Sequence, residues 1–193
     1  MVMNKTLIIV DAQYDFMEGG KLPVKGATKA LDNIVPLIES GEYSTIITTQ
    51  DWHNGKHCSF KEQGGIFPEH CVQGTYGADI YAPIAEAIKK GKYLLLNLKK
   101  GKNLEEFSAF GDKTSGYPHW KEYKTTDSEC PYLQFHEDEI IHICGLAGDI
   151  CVMTTAIKLK DLNPSIIENC TASIDNETFR ILADRYDINI IEV

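Results

Sequence analysis

Four short runs dominated by Ile, Leu and Val, at Thr6–Val10, Thr45–Thr48, Tyr93–Leu98 and Ile140–Cys144, restrict what this chain can fold into more than any other feature. Each is short for a helix and too continuously apolar for a strand with one wet face, so each is expected to be a strand of a parallel sheet covered on both sides. Segments with helical spacing separate them at 27–39, 80–90 and 150–160, the last with apolar residues at Ile150, Met153 and Ile157. A strand at Ser165–Glu168, a helix at about Asn176–Tyr186 and a last strand near Ile188–Glu192 complete a βαβαβ…βαβαβ order. That order predicts an α/β fold, a three-layer sandwich of a mostly parallel sheet with helices on both faces. A ligand is expected at the carboxyl ends of its strands.

With 193 residues the chain suits one domain, 1–193, and no internal boundary is expected. A composition of 43% hydrophobic and 24% charged residues excludes collagen-like and disordered classes. The formal charge of −9 argues against nucleic acid and anionic membranes as partners. The segment MVMNKTLIIVDAQ has an apolar run only from Leu7 to Val10, too short for a signal peptide or a membrane span, so a cytoplasmic protein is expected. Six cysteines without a C-x-x-C pair suit reduced thiols. Two stretches, Asn54–Tyr76 and Gly111–Glu137, break the alternation and read as long functional loops. Oligomeric state is left open, a homo-oligomer included.

Several residues at predicted strand ends can carry chemistry. Asp11 closes the first strand in IIVDAQYDF, where a helix-capping role is the simpler account of a lone carboxylate. Lys100 follows YLLLNLKKG in the same position on another strand, and a solvated lysine is the simpler account there. Cys151 lies in ICGLAGDICVMTTA, in the first turn of a predicted helix, where free backbone N–H groups and the helix dipole favour thiolate. It is the preferred nucleophile, whereas Cys144 and Cys170 suit core positions within strands. Asp51 and His53 in TTQDWH project to one side of extended backbone, and His70 follows in GIFPEHCVQGT. One carboxylate and two imidazoles suit an open divalent-metal site, with three solvated loop residues as the alternative. A rival zinc cluster of His57, Cys58 and Cys71 lacks finger or ribbon spacing. His119, His136 and His142 read as surface or core residues. Nucleotide binding has no support: there is no GxxxxGK[ST], the GDKT at 111–114 misplacing its lysine, and no GxGxxG after the first strand.

Taken together and in order, VDAQYDF, TTQDWH, PEHCVQGTYGA, KGKNLEEFSAF and GLAGDICV resemble the isochorismatase-like cysteine hydrolases, most closely their nicotinamidase/pyrazinamidase branch. The resemblance implies a catalytic triad of Asp11, Lys100 and Cys151. It implies one divalent ion, zinc first and manganese or iron as alternatives, on Asp51, His53 and His70, with His57 a candidate further ligand. It also implies a cis peptide between Leu146 and Ala147, with the N–H groups of Ala147 and Cys151 as oxyanion donors. Phe16, Phe67 and Phe107 would flank a flat ring. The chain departs from the family pattern at Phe67 for Trp, Phe107 for Tyr, Gly148 for Thr and Ile150 for Tyr, changes that remove polar contacts from the wall and are expected to loosen the turn at Gly148.

The activity so implied is metal-dependent hydrolysis of a small-molecule amide, nicotinamide to nicotinic acid and ammonia through a thioester, a step of NAD salvage. Asp11 would shuttle the proton of Cys151, and Lys100 would stabilise the anions. Two alternatives stay open: a relative acting on another small amide or on isochorismate, and a catalytically silent metal-binding protein of the same fold.

Overall fold

The computed structural model describes residues 4–102, 106–117 and 119–193. A six-stranded, wholly parallel sheet forms its centre, built from β1 (Lys5–Val10), β2 (Thr45–Asp51), β3 (Leu94–Lys100), β7 (Ile140–Leu146), β8 (Ser165–Ala172) and β9 (Asn189–Ile191). The order across it is β3-β2-β1-β7-β8-β9. The chain therefore runs outward from β1 in one direction and then returns to build on its other side. A crevice at the carboxyl ends beside β1 is the geometric result of that reversal.

Alternation along β1 shows how the layers form. Leu7 and Ile9 face a core shared with helices α1 (Ala27–Asp32), α2 (Ile34–Glu39) and α3 (Ala82–Lys90). Ile8 and Val10 face the opposite core, closed by α4 (Met153–Lys158) and α5 (Asn176–Tyr186). The three-layer α/β expectation is met. Residues 27–39 form two helices rather than one, divided at Asn33. Pro36 has no N–H to give the carbonyl four residues back, so a continuous helix would lose a bond there. The strand expected at Ser165–Glu168 runs on to Ala172, and α5 begins where Asp175 caps the N–H groups of Glu177 and Thr178.

Gly111–Glu137 is not a loop. It folds into an antiparallel meander of β4 (Phe110–Tyr117), β5 (Trp120–Thr125) and β6 (Tyr132–His136). Tyr123 is the buried residue of β5 and Phe135 that of β6, so alternation is too thin to stand out in the sequence. Asn54–Tyr76 holds mainly turns with a short 3-10 segment at Lys61–Gln63. Among the described residues no helix is long and apolar enough to cross a membrane.

Two glycines let the crevice close tightly. Gly145, at φ +116°, brings β7 so near β1 that a Cβ would overlap the Val10 backbone. Gly101, at φ +76°, lies where a Cβ would come within 2.5 Å of the His53 ring and 3.0 Å of Asp51 Oδ1.

Candidate active site

Asp11, Asp51 and Lys100 leave the carboxyl ends of β1, β2 and β3, and Cys151 lies in the wide turn Gly148–Val152 that follows β7. Asp11 itself has φ +48°, a left-handed conformation that turns the chain off β1. Its N–H donates to Thr49 O at 3.1 Å, and Thr49 Oγ1 donates to Asp11 Oδ1 at 2.7 Å. Lys100 is wholly buried, with Nζ 2.8 Å from Asp11 Oδ2, 2.5 Å from Asp51 Oδ1 and 3.6 Å from Cys151 Sγ. The Asp11 carboxyl also acts electrostatically on the Cys151 thiol.

The electrostatics follow from this dry cluster. Burial opposes the Lys100 ammonium, but Asp11, Asp51 and Cys151 hold it well above its ordinary value. Burial raises the Asp11 carboxyl despite the pull of Lys100. Burial opposes ionisation of Asp51 as well, yet Lys100 and then His53 hold it below the usual carboxylate range. Burial pushes the Cys151 thiol up, Lys100 pulls it back, and Asp11 and Asp51 push it further. The helix-start position was expected to favour thiolate. Desolvation outweighs it and shifts the thiol upward, with the Asp11 carboxyl, itself raised by burial, alongside.

Asp51, His53 and His70 come together with donor atoms within 4.8 Å of one another, all three buried. His53 Nδ1 lies 2.6 Å from Gly101 O and His70 Nδ1 lies 2.8 Å from Pro68 O. A carbonyl only accepts, so each Nδ1 carries a hydrogen, and each Nε2 lies near Asp51 Oδ2, at 3.5 and 3.9 Å. Two fixed imidazoles and a carboxylate form a donor set that fits a divalent ion. His57 stacks on His53 at 4.2 Å with Nδ1 on Ser59 Oγ, and it does not belong to the three-residue donor group. The rival cluster is not assembled: Cys58 is exposed, while Cys71 is packed in the core near Gly77.

Beside these groups lies a cleft lined by Phe16, Phe67, Phe107, Ala147 and Cys151 among others. The expected aromatic wall and both expected oxyanion donors thus border one space, and the Leu146–Ala147 peptide is cis. Residues 103–105 of KGKNLEEFSAF lie outside the described residues. Gly148 does not loosen its turn: a Cβ there would overlap Ser173 Oγ and reach 2.9 Å from Thr171, so close packing fills the space.

Sequence reasoning missed several contributors. Leu22, Val24 and Ile174 line the cavity, and no periodicity marks them because they come from irregular segments. Asp149 accepts the N–H groups of Ile174 and Asp175 at 2.9 and 3.0 Å and so fixes the Ile174 side of the mouth. Gln13 clamps Asp51, taking its N–H at 2.8 Å and donating to its carbonyl at 2.9 Å. Gln13 is wholly buried, and the only signal in the sequence was its place two residues beyond Asp11.

A thiol between a carboxylate and an ammonium, at the reversal point of a parallel sheet, defines an α/β cysteine hydrolase. No family model matches the chain. It is 31% identical to a nicotinamidase of Acinetobacter baylyi, over 89% of this chain and 83% of that protein. A structure of PnC1 from L. infantum in complex with nicotinate superposes with TM-score 0.76 at 25% identity, covering all of this chain and 94% of that one. A pyrazinamidase of Pyrococcus horikoshii in complex with zinc shares the fold, with TM-score 0.72 at 24% identity over 98% of this chain and 99% of that one. The chain belongs to the nicotinamidase/pyrazinamidase branch of the isochorismatase-like cysteine hydrolases.

Proposed function

We propose that this protein is an amidohydrolase that converts nicotinamide to nicotinic acid and ammonia, with Cys151 as nucleophile. The observation that carries the reading is the placement of Cys151 Sγ beside both Lys100 Nζ and Asp11 at the wall of an apolar cavity. Residues 1–193 act in this reading as one domain.

Asp11 accepts the Cys151 proton as Sγ attacks the amide carbon, and it returns that proton to the departing nitrogen, which leaves as ammonia. Lys100 keeps its proton throughout and offsets the negative charge that passes between sulfur and carboxylate. Backbone N–H groups of Ala147 and Cys151 are assigned to the carbonyl oxygen as it gains charge. Water then cleaves the thioester, giving the acid and restoring the thiol. Phe16, Phe67 and Phe107 hold the ring flat and keep bulk water from its faces. Asp51, His53 and His70 would hold the divalent ion, for which zinc suits two imidazoles and a carboxylate, and the chemistry it would supply there is an anchor for the ring nitrogen. In this reading His57 braces His53 by stacking.

The test is product analysis by mass spectrometry after incubating metal-loaded protein with nicotinamide. Nicotinate from wild type and none from Cys151→Ala is expected. An acyl adduct trapped on Cys144 or Cys170 in place of Cys151 would overturn the nucleophile assignment.

A further inference from the structure

Among the described residues β3 is the last strand on its side of the large sheet and pairs only with β2. Along a strand the backbone N–H and C=O groups point alternately to either side, so every second residue of an edge strand faces away from the sheet. Leu94 N–H donates to Ser44 O at 3.0 Å, and Lys100 O accepts from Trp52 N–H at 2.9 Å, which turns these residues inward and Lys99 outward.

The connection between β5 and β6 supplies what a further strand would give Lys99. Its N–H donates to Asp127 Oδ2 at 2.9 Å, and its carbonyl accepts from Thr126 Oγ1 at 3.2 Å. Asp127 is 7% exposed, and its other oxygen accepts Glu129 N–H at 2.9 Å, so the carboxylate is fixed at both ends. The next residue along β3 is Lys100. Its ammonium has to serve Asp11, Asp51 and Cys151 at once.

We propose that Asp127 is a positioning residue for the reaction, holding the end of β3 so that the Lys100 ammonium stays beside the nucleophile. The meander then has a role: it buttresses an edge strand that carries part of the machinery. This inference rests on the reading of Lys100 and Cys151 given above. Removing the carboxylate strips a part-buried N–H of its acceptor and frees the strand end to move outward. A displacement of order 1 Å near reacting groups costs up to about a hundredfold in rate.

The experiment compares Asp127→Ala, Asp127→Asn and wild type, all metal-loaded. It reads kcat and KM for nicotinamide and, separately, the rate of Cys151 alkylation by iodoacetamide at one pH. Asp127→Ala should lower kcat at least about tenfold with KM within about twofold, and should change the alkylation rate more than threefold. Asp127→Asn keeps an acceptor for Lys99 N–H and should recover most of both. Wild-type kcat and alkylation in Asp127→Ala would overturn the proposal, as would equal losses in the Ala and Asn variants. If Asp127→Ala does not fold, Thr126→Val removes the companion contact and should show a smaller change in the same direction; no change there overturns the proposal. Alkylation needs no amide. Should wild type release no nicotinate, the functional reading fails while the alkylation comparison still decides the role of Asp127.

Discussion

Lys100 Nζ and Asp51 Oδ1 lie 2.5 Å apart, and this contact joins the surroundings of the Cys151 thiol to the Asp51–His53–His70 donor group. One oxygen of Asp51 serves the ammonium while the other faces His53 and His70. A change at Asp51 therefore reaches both halves of the site, whereas a change at His53 reaches one.

The corresponding prediction contrasts two variants. His53→Ala should weaken metal affinity and raise KM for nicotinamide, yet leave Cys151 alkylation within about threefold of wild type. Asp51→Asn should weaken the metal and also change the alkylation rate by about tenfold, because Lys100 loses a charged partner. Metal titration and timed alkylation, followed by peptide mass spectrometry, separate the two. Equal alkylation rates in both variants would contradict the shared-carboxylate account.

Ring chemistry gives a second prediction. Benzamide has the shape of nicotinamide without the ring nitrogen, so it should lose at least about tenfold in kcat/KM, or roughly 1.4 kcal/mol of transition-state binding. Pyrazinamide keeps that nitrogen and should be hydrolysed. Steady-state ammonia release with each amide provides the comparison, and comparable kcat/KM for benzamide would remove the anchoring role.

Tyr123 offers a test of packing apart from the site. Its ring is buried against Phe135, while its hydroxyl has no hydrogen-bond partner among the described residues and burial pushes its pKa to about 12. Tyr123→Phe removes an unsatisfied polar group and keeps the ring, so stability should stay the same or rise by about 1 kcal/mol. Urea unfolding measures it. A loss of more than about 1 kcal/mol would show that the hydroxyl has a partner.

Glu18 sets a pH dependence. Its carboxylate accepts from Thr28 Oγ1 at 2.5 Å, from Thr28 N–H at 3.0 Å and from Gly26 N–H at 2.7 Å, at the start of α1. The Thr28 hydroxyl, then its N–H, holds the pKa down to about 2 from an ordinary 4.5. The folded state thus favours the ionised form. Its contribution is complete above the ordinary value and fades as pH falls from there through about 2. At this exposed position Glu18→Gln should cost about 0.5–1 kcal/mol at pH 7. Thermal melts at pH 7 and at pH 2.5 should show the gap between variant and wild type narrowing in acid.

The central sheet was legible because buried parallel strands are written as continuous Ile, Leu and Val runs, as β1, β2 and β7 are; β3 has such a run too, but as an edge strand it leaves Leu94 and Leu95 exposed, so the expected cover on both sides fails there. Asp11, Lys100, Asp51 and Cys151 were legible because each ends or closely follows such a run. The meander was not, since β5 and β6 each bury a single residue and read as polar loop. Leu22, Val24 and Ile174 escaped for a related reason: a cavity wall gathered from irregular backbone has no period in the sequence. The upward push of burial on the Cys151 thiol was not legible, because a helix start is visible in sequence and the depth of its burial is not.

The tight fit at Gly101 divides this site by how freely it can change. No side chain enters at Gly101 without displacing the ring of His53 and the carboxylate of Asp51, so that rim is fixed by backbone. The wall formed by Leu22, Phe67, Phe107 and Ile174 is gathered from segments outside the sheet strands. Selection, or an engineer, can therefore exchange wall residues to fit a different acyl group while inheriting the hydrolytic apparatus unchanged. New amide preferences should arise from substitutions around the mouth, and libraries aimed there should return active enzymes far more often than libraries aimed at the strand ends.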